Sequence, residues 1–247
     1  MDSIGFICDP NHPLMGPVAE RLAARGFAVE FHRPTDPVTP ADVDALSALV
    51  GGELHPTALS ALQYADANAV QTWNGFDATV ALSARLVTLE ALGSLGCRVP
   101  DVRFDSPRPG YAPGRRYAWS GSLAADGTAP FYVEQVGTDS VDYRYYAVDD
   151  GRETHMRTLE VRTSLPDETA THDDAPLLRG TDVDVSLAAS VRELLDRLGA
   201  RAVAVDFSRG EDGEFYALRA TPTPTFTGAG MDRRVADSIA SLTTIGA

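Results

Sequence analysis

The side chains of this 247-residue sequence that could carry chemistry are arginines and carboxylates. All 21 of its basic residues are Arg, set against 35 Asp and Glu, which leaves a formal net charge of −14. Without Lys there is no Lys nucleophile, no Schiff base and no phosphate loop ending in Gly-Lys-Ser/Thr. The five His stand apart, with no His-x-His or His-Glu-x-x-His spacing to hold zinc. No Gly-x-Ser-x-Gly elbow is present, and no Gly-x-Gly-x-x-Gly follows the first strand. Cys8 and Cys97 lie in separate apolar settings and are expected to be buried free thiols. What remains is the arginines and carboxylates at large, among them Arg144 and Arg157 in neighbouring strand-like runs, Glu134 and Asp142 close by in sequence, Asp206 in the apolar run 202–207, and Arg219 in the run after it. Carboxylate oxygens suit a hard cation, and guanidinium forks grip phosphates and carboxylates. The same residues also have plain structural roles. Arg144 and Arg157 can pair with Glu134, Asp142 or Glu160 across a sheet, and Asp206 can cap a turn.

The elements that must position these groups follow from hydrophobic period and punctuation. Residues 4–8 form a short apolar strand, and a Pro-rich turn leads to a helix carrying Leu14, Val18 and Leu22 that closes at Gly26. Residues 27–31 resume as a strand. A second helix is expected from Thr39-Pro40 through Val43, Leu46 and Leu49, a third after Pro56, and a strand between Asn68 and Trp73. One long helix is expected over 77–95. Residues 106–130, rich in Pro, Gly and Ser, precede strand-like runs at 131–136, 142–148 and 155–163, the last two joined by Asp149-Asp150-Gly151. The polar stretch 166–174 reads as a loop. Asp182 is expected to cap a helix with the stripe Leu187, Val191, Leu194, Leu195 and Leu198 ending at Gly199, and 202–207 and 214–219 pair as strands before a closing helix over 233–242. Tyr143, Tyr145 and Tyr146 alternate faces as strand residues do, so packing explains them better than base stacking.

No run approaches the roughly 18 apolar residues of a membrane span, and Met1-Asp2-Ser3 lacks the basic start of a signal peptide. A cytoplasmic protein with a core supported by 44% hydrophobic residues is expected. The acidic excess is dispersed, which argues against broad binding to nucleic acid or an anionic membrane. It fits a surface solvated for high salt, of haloarchaeal character, where the Debye length is about 3 Å at molar ionic strength.

The order of segments after residue 74 resembles the ATP-grasp superfamily, in its RimK and glutathione-synthase-like branch. The stretch Leu92-Gly93-Ser94-Leu95-Gly96-Cys97-Arg98-Val99-Pro100 resembles the helix end before that family's nucleotide-binding part. Phe131-Tyr132-Val133-Glu134-Gln135-Val136 resembles its hinge strand, and Val141 to Val148 with Arg157 its central strands. Leu198 to Phe207 is similar to its Leu-Gly…Val-Asp strand, and Tyr216 to Phe226 to the segment that follows. The fold this implies is α/β, a Rossmann-like pre-ATP-grasp domain (1–75) and a reduced α+β ATP-grasp domain (76–247), comprising a nucleotide-lid part (76–135) and a central antiparallel sheet (136–247).

The activity the resemblance implies is ATP- and Mg²⁺-dependent joining of a carboxylate to an amine through an acyl phosphate. It places Asp206 as a metal ligand, Arg144 and Arg157 as catalytic residues at the phosphates, Glu134 at the adenine hinge, and Arg85, Asp142 and Arg219 in the cofactor site. The sequence also departs from the family pattern. Arg85 stands where the family has Lys and Ala84 where it has Asp. Arg219 stands at the second metal carboxylate and Thr221 at the metal-binding Asn. The stretch between Pro100 and Glu134 is short for a Gly-rich flap, with Trp119-Ser120-Gly121-Ser122 as its remnant. Two functions follow: the ligase, or a non-catalytic descendant with weakened or lost ATP and Mg²⁺ binding that holds a small anionic ligand or a protein partner in an arginine-lined cleft. Substitution of the Lys and metal positions favours the second, because phosphoryl transfer depends on those charges.

Overall fold

The computed structural model describes residues 2–117, 129–136, 141–162 and 177–244. The candidate flap remnant 119–122 and the polar stretch 166–174 lie outside them.

Strands β1 (Ser3–Ile7), β2 (Ala28–His32), β3 (Ala48–Gly51) and β4 (Gln71–Trp73) form a parallel sheet in the order β2-β1-β3-β4. Helices α1 (Met15–Ala23), α2 (Pro40–Asp44) and α3 (Pro56–Ala67) are its crossovers. Strand β3 corrects the expectation of a helix through Leu49. Helix α2 starts at a capping box in which Thr39 and Asp42 satisfy each other's backbone N–H, but it stops after five residues. All four β3 residues are buried between β1 and β4. A strand covered on both faces shows no alternation, so Leu46 and Leu49 read as helical spacing.

The single helix expected over 77–95 is two, α4 (Phe76–Ser83) and α5 (Arg85–Ser94). Between them Ala84 is extended (φ −87°, ψ 102°) and bridges Tyr117, and the Arg85 N–H donates to the Arg116 carbonyl at 3.2 Å. No Pro or Gly marks the break; an incoming chain segment imposes it. Beyond it, β5 (Val102–Arg103), β6 (Tyr111–Gly114) and β7 (Phe131–Glu134) make a small antiparallel sheet ordered β5-β7-β6, two of whose strands come from stretches with no strand pattern. A Cβ on Gly114 would sit 2.0 Å from the Phe131 ring, so this close strand approach requires glycine.

Strands β8 (Val141–Asp149), β9 (Thr154–Arg162), β10 (Leu177–Gly180), β11 (Ala202–Arg209) and β12 (Phe215–Thr221) form an antiparallel sheet ordered β10-β9-β8-β11-β12. Helix α6 (Val185–Leu198) buries Val191, Leu194 and Leu195 on one face of it. Its cap is Asp184, which accepts from the Ser186 and Leu187 N–H groups, not Asp182; Gly199 ends it at φ 60°. Tyr145, Val203, Val205 and Phe207 pack with α6, whereas Tyr146, Val148, Ala202 and Ala204 on the other face pack with α7 (Asp232–Thr244), α1 and the parallel sheet.

Helix α7 thus lies between the two large sheets. Its Ser238 hydroxyl accepts from the Trp73 indole N–H at 2.9 Å and donates to the Asp149 carbonyl. Asn74, 2% exposed, uses its amide to donate to the Ala202 and Pro222 carbonyls and to accept from the Arg201 and Ala202 N–H groups. A residue at the end of the parallel sheet therefore fixes the start of β11. Among the described residues, no helix is long and apolar enough to cross a membrane.

Candidate functional site

Asp206 is the point from which the site is built. It sits in β11 directly opposite Arg144 on β8 and Arg219 on β12, so three adjacent strands present a guanidinium, a carboxylate and a guanidinium on one face. A register shift after Asp206, which pairs Phe207 with Ala217, brings Arg219 rather than Leu218 alongside it. Arg144 grips both carboxylate oxygens, Nε to Oδ1 at 2.5 Å and Nη2 to Oδ2 at 2.9 Å, and Arg219 Nε donates to Oδ2 at 2.6 Å. Asp206 is 5% exposed, and the Arg144 and Arg219 side chains are 27% and 62% exposed. Burial alone would push the Asp206 carboxyl up, but the hydrogen bonds and charges of the two arginines outweigh it and hold it below the ordinary value. The Arg144 guanidinium is correspondingly held more basic by Asp206. Asp142, two residues along the same face of β8, is raised by burial despite its hydrogen bond to Ser208 and the two nearby arginines.

This donor set does not fit Mg²⁺. A hard dication needs free oxygen ligands, and both Asp206 oxygens are already engaged by guanidiniums. Arg219 adds a second positive charge beside the same carboxylate, which repels a cation. Asp206 is instead held in an ion-pair triad with Arg144 and Arg219 whose net charge is +1.

Arg219 also faces a second space. With Arg85, Arg115, Thr88, Pro113 and Thr221 it lines a cavity of about 350 Å³ between the first turn of α5, the end of β6 and β12. Among the described residues, no carboxylate lines that cavity. Arg85 Nε is sealed from solvent and has no hydrogen-bond partner among the described residues, and burial together with the Arg219 charge depresses the basicity of the Arg85 guanidinium. Three cations with no anion among them, at a helix N-terminus, form an anion-binding environment. On the other side of Arg219, a smaller cavity of about 190 Å³ is floored by Arg144, Asp206 and Tyr146.

The structure therefore brings together Arg85, Arg144, Asp206, Arg219 and, at the edge, Asp142. It does not bring Arg157 or Glu134 to them. Arg157, opposite Tyr146 on β9, is exposed and lines a separate space with Glu160 and Arg179. Glu134 accepts from the Asp101 N–H at 3.0 Å and lines a cavity of about 430 Å³ with Tyr111, Glu211, Asp212 and Tyr216. Arg115 is absent from the sequence reading because it lies in the Pro- and Gly-rich stretch before β7, where no pattern singles it out. Cys8 is buried as expected, and burial with Glu53 and Asp9 nearby pushes its thiol up to about 12. Asp150, Glu153 and His155 cluster at the β8–β9 hairpin, where His155 Nε2 and Asp150 Oδ2 are 2.7 Å apart.

No protein-family model matches the sequence, and no characterised protein matches it. Solved structures do match along the whole chain. The macrocyclase MdnC bound with precursor peptide MdnA, from Microcystis aeruginosa MRC, superposes with a TM-score of 0.70 at 11% identity, covering 97% of this chain and 99% of that one. The ATP-grasp ligase PsnB complexed with a minimal precursor gives 0.69 at 16% identity, covering 98% and 100%. N5-carboxyaminoimidazole synthetase from Staphylococcus aureus gives 0.67 at 12% identity, covering 98% of this chain and 77% of that one. With its Rossmann-like parallel sheet, small three-stranded sheet and five-stranded antiparallel sheet in that order, the chain has the ATP-grasp fold.

Proposed function

We propose that this protein is a non-catalytic ATP-grasp-fold protein that holds a small anionic ligand against Arg85, Arg115 and Arg219. The observation that carries this reading is the Arg144–Asp206–Arg219 bridge. Phosphoryl transfer rests on positioning and on neutralising charge with metal and cations at the phosphates. Here the one carboxylate at the expected metal position is consumed by arginines. The cavity beside it keeps the cationic character that an anion needs, with Arg85 Nε free to donate.

The second reading is an ATP-dependent carboxylate–amine ligase acting on a peptide. It is supported by the likeness to PsnB complexed with ADP, Mg and a precursor and to MdnC bound with its precursor peptide. In that reading Asp206 would hold the metal, Arg144 and Arg157 the transferred phosphate, and Glu134 the adenine. The separation of Arg157 from Asp206 weighs against it.

Thermal denaturation with and without millimolar Mg·ATP, in the salt that keeps the protein folded, tests the choice. The binding-protein reading expects no magnesium-dependent stabilisation and no release of ADP. A magnesium-dependent rise in melting temperature accompanied by ADP formation with a carboxylate and an amine present would overturn it.

A further inference from the structure

The arginine cavity has an unusual charge account for so acidic a chain. Asp206 is neutralised by Arg144 alone, because Arg144 takes both of its oxygens. Arg219 therefore brings an unmatched positive charge. Its Nε is committed to Asp206, which orients the planar guanidinium, while no partner is found for its Nη groups among the described residues. Arg85 and Arg115 have no carboxylate partner there either, and no acidic side chain lines the cavity. The three guanidiniums come from three separate segments: α5, the segment after β6, and β12. A flat carboxylate offers two oxygens to one fork. A tetrahedral oxyanion offers oxygens in three directions and, when doubly charged or more, matches three cations.

We infer that Arg219, oriented by Asp206, carries the charge that a divalent cation would otherwise supply, so that the cavity takes a multiply charged phosphoanion free of metal and Mg²⁺ antagonises its binding. This rests on the anion-binding reading of the cavity and adds the ligand class and the sign of the metal effect. Magnesium acts against binding in two ways. It lowers the charge of the phosphoanion by complexing it, and the complex presents a cation to three guanidiniums and a positively charged triad.

The test is calorimetric titration of the full chain with inorganic pyrophosphate, once in EDTA and once with Mg²⁺ in excess over pyrophosphate, at equal ionic strength. The expected result is binding in EDTA that weakens about tenfold or more with Mg²⁺, a change of about 1.4 kcal/mol. Arg219→Gln should weaken binding in EDTA by about tenfold, and Arg115→Gln, away from the triad, keeps the test open if the Arg219 variant misfolds. Equal or tighter binding with Mg²⁺ would overturn the inference and leave the anion cavity standing. Binding of citrate but not pyrophosphate would overturn the phosphoanion assignment alone. Failure of pyrophosphate, phosphate and citrate to bind under either condition would remove both this inference and the proposed function.

Discussion

Two cavities lie at opposite ends of strand β6, and they carry opposite charge. At the Tyr111 end, Glu134, Glu211 and Asp212 line a space of about 430 Å³; at the Pro113 end, Arg85, Arg115 and Arg219 line one of about 350 Å³. Their charges differ in a second way. Asp212 is paired with Arg98 at 2.8 Å and accepts from the Tyr216 hydroxyl, and Glu134 is tied to the Asp101 backbone. The acidic end is largely satisfied from within. At the basic end, among the described residues only Arg219 has a carboxylate partner, and that carboxylate is already neutralised by Arg144. The difference teaches that the number of charges in a cavity does not mark a binding site. What marks it is charge left uncompensated, and in a chain of net charge −14 that requires acids to be absent locally.

The strongest way to break this contrast is to remove the carboxylate that anchors the basic end. Asp206→Ala leaves Arg144 and Arg219 facing each other across the place of a buried carboxylate. It should cost about 1.5–3 kcal/mol, the usual loss of hydrogen bonds to a charged group, since the arginines left behind are partly solvated. Glu134→Ala at the exposed acidic end should change stability by no more than about 1 kcal/mol. Urea denaturation of both variants reads this directly. Similar losses from the two would mean that the triad is no more structural than a surface contact.

Arg85 separates binding from stability. Its sealed, partnerless Nε and its repulsion from Arg219 make it unfavourable in the empty fold. Arg85→Met should therefore leave stability unchanged or raise it by about 1 kcal/mol, while lowering anion affinity by roughly 10- to 100-fold, the loss of one charge-assisted contact. Asp212→Asn, the matching change at the acidic end, should move anion affinity less than about twofold. If Arg85→Met both destabilised the protein and left binding intact, Arg85 would be a packing residue.

Much of this scaffold is legible in the sequence. The Val191, Leu194, Leu195 stripe of α6 appears where its helical period places it, and β11, buried along nearly its whole length, is legible as an apolar run bounded by Gly199 and the turn from Arg209 to Gly213. Strand β3 is equally buried, but its run of only four residues merges with the Leu46 spacing before it. The break at Ala84 leaves no trace, yet it puts Arg85 at the start of α5, where it reaches the cavity. Asp206 and Arg219 are recognisable through the resemblance, as neighbours on one hairpin. The bidentate grip of Arg144 is not, because it depends on β8 pairing with β11 across a helix and two intervening strands. Asn74 reads as a turn residue, and its four buried hydrogen bonds become visible only once the two sheets are placed together.

Acid should sharpen the same contrast. The native Asp206 value lies below the ordinary one, so its contribution is fully present above about pH 4, the unfolded value. It is lost as pH falls from there through the depressed native value. Denaturation midpoints between about pH 6 and pH 2.5 should fall more steeply below pH 4 in the parent than in Asp206→Ala. Parallel acid limbs in the parent and Asp206→Ala would show that the arginines do not hold the carboxylate ionised.

The smallest expected effect concerns Arg115, and it depends on salt. Arg115 is exposed at the rim of the basic cavity, whereas Arg85 is mostly enclosed. A rim charge acts through solvent, and its field reaches about 8 Å at 0.15 M salt but only about 3 Å at 1 M. Arg115→Ala should therefore weaken pyrophosphate binding about two- to threefold at 0.15 M, mostly through slower association, and hardly at all at 1 M. The Arg85→Met loss should persist at both salts, because a sealed donor is screened little. Stopped-flow association at the two ionic strengths distinguishes them. If both variants lost their effect at 1 M, the cavity would bind anions by its general field alone, and the sealed Arg85 nitrogen would have no part in recognition.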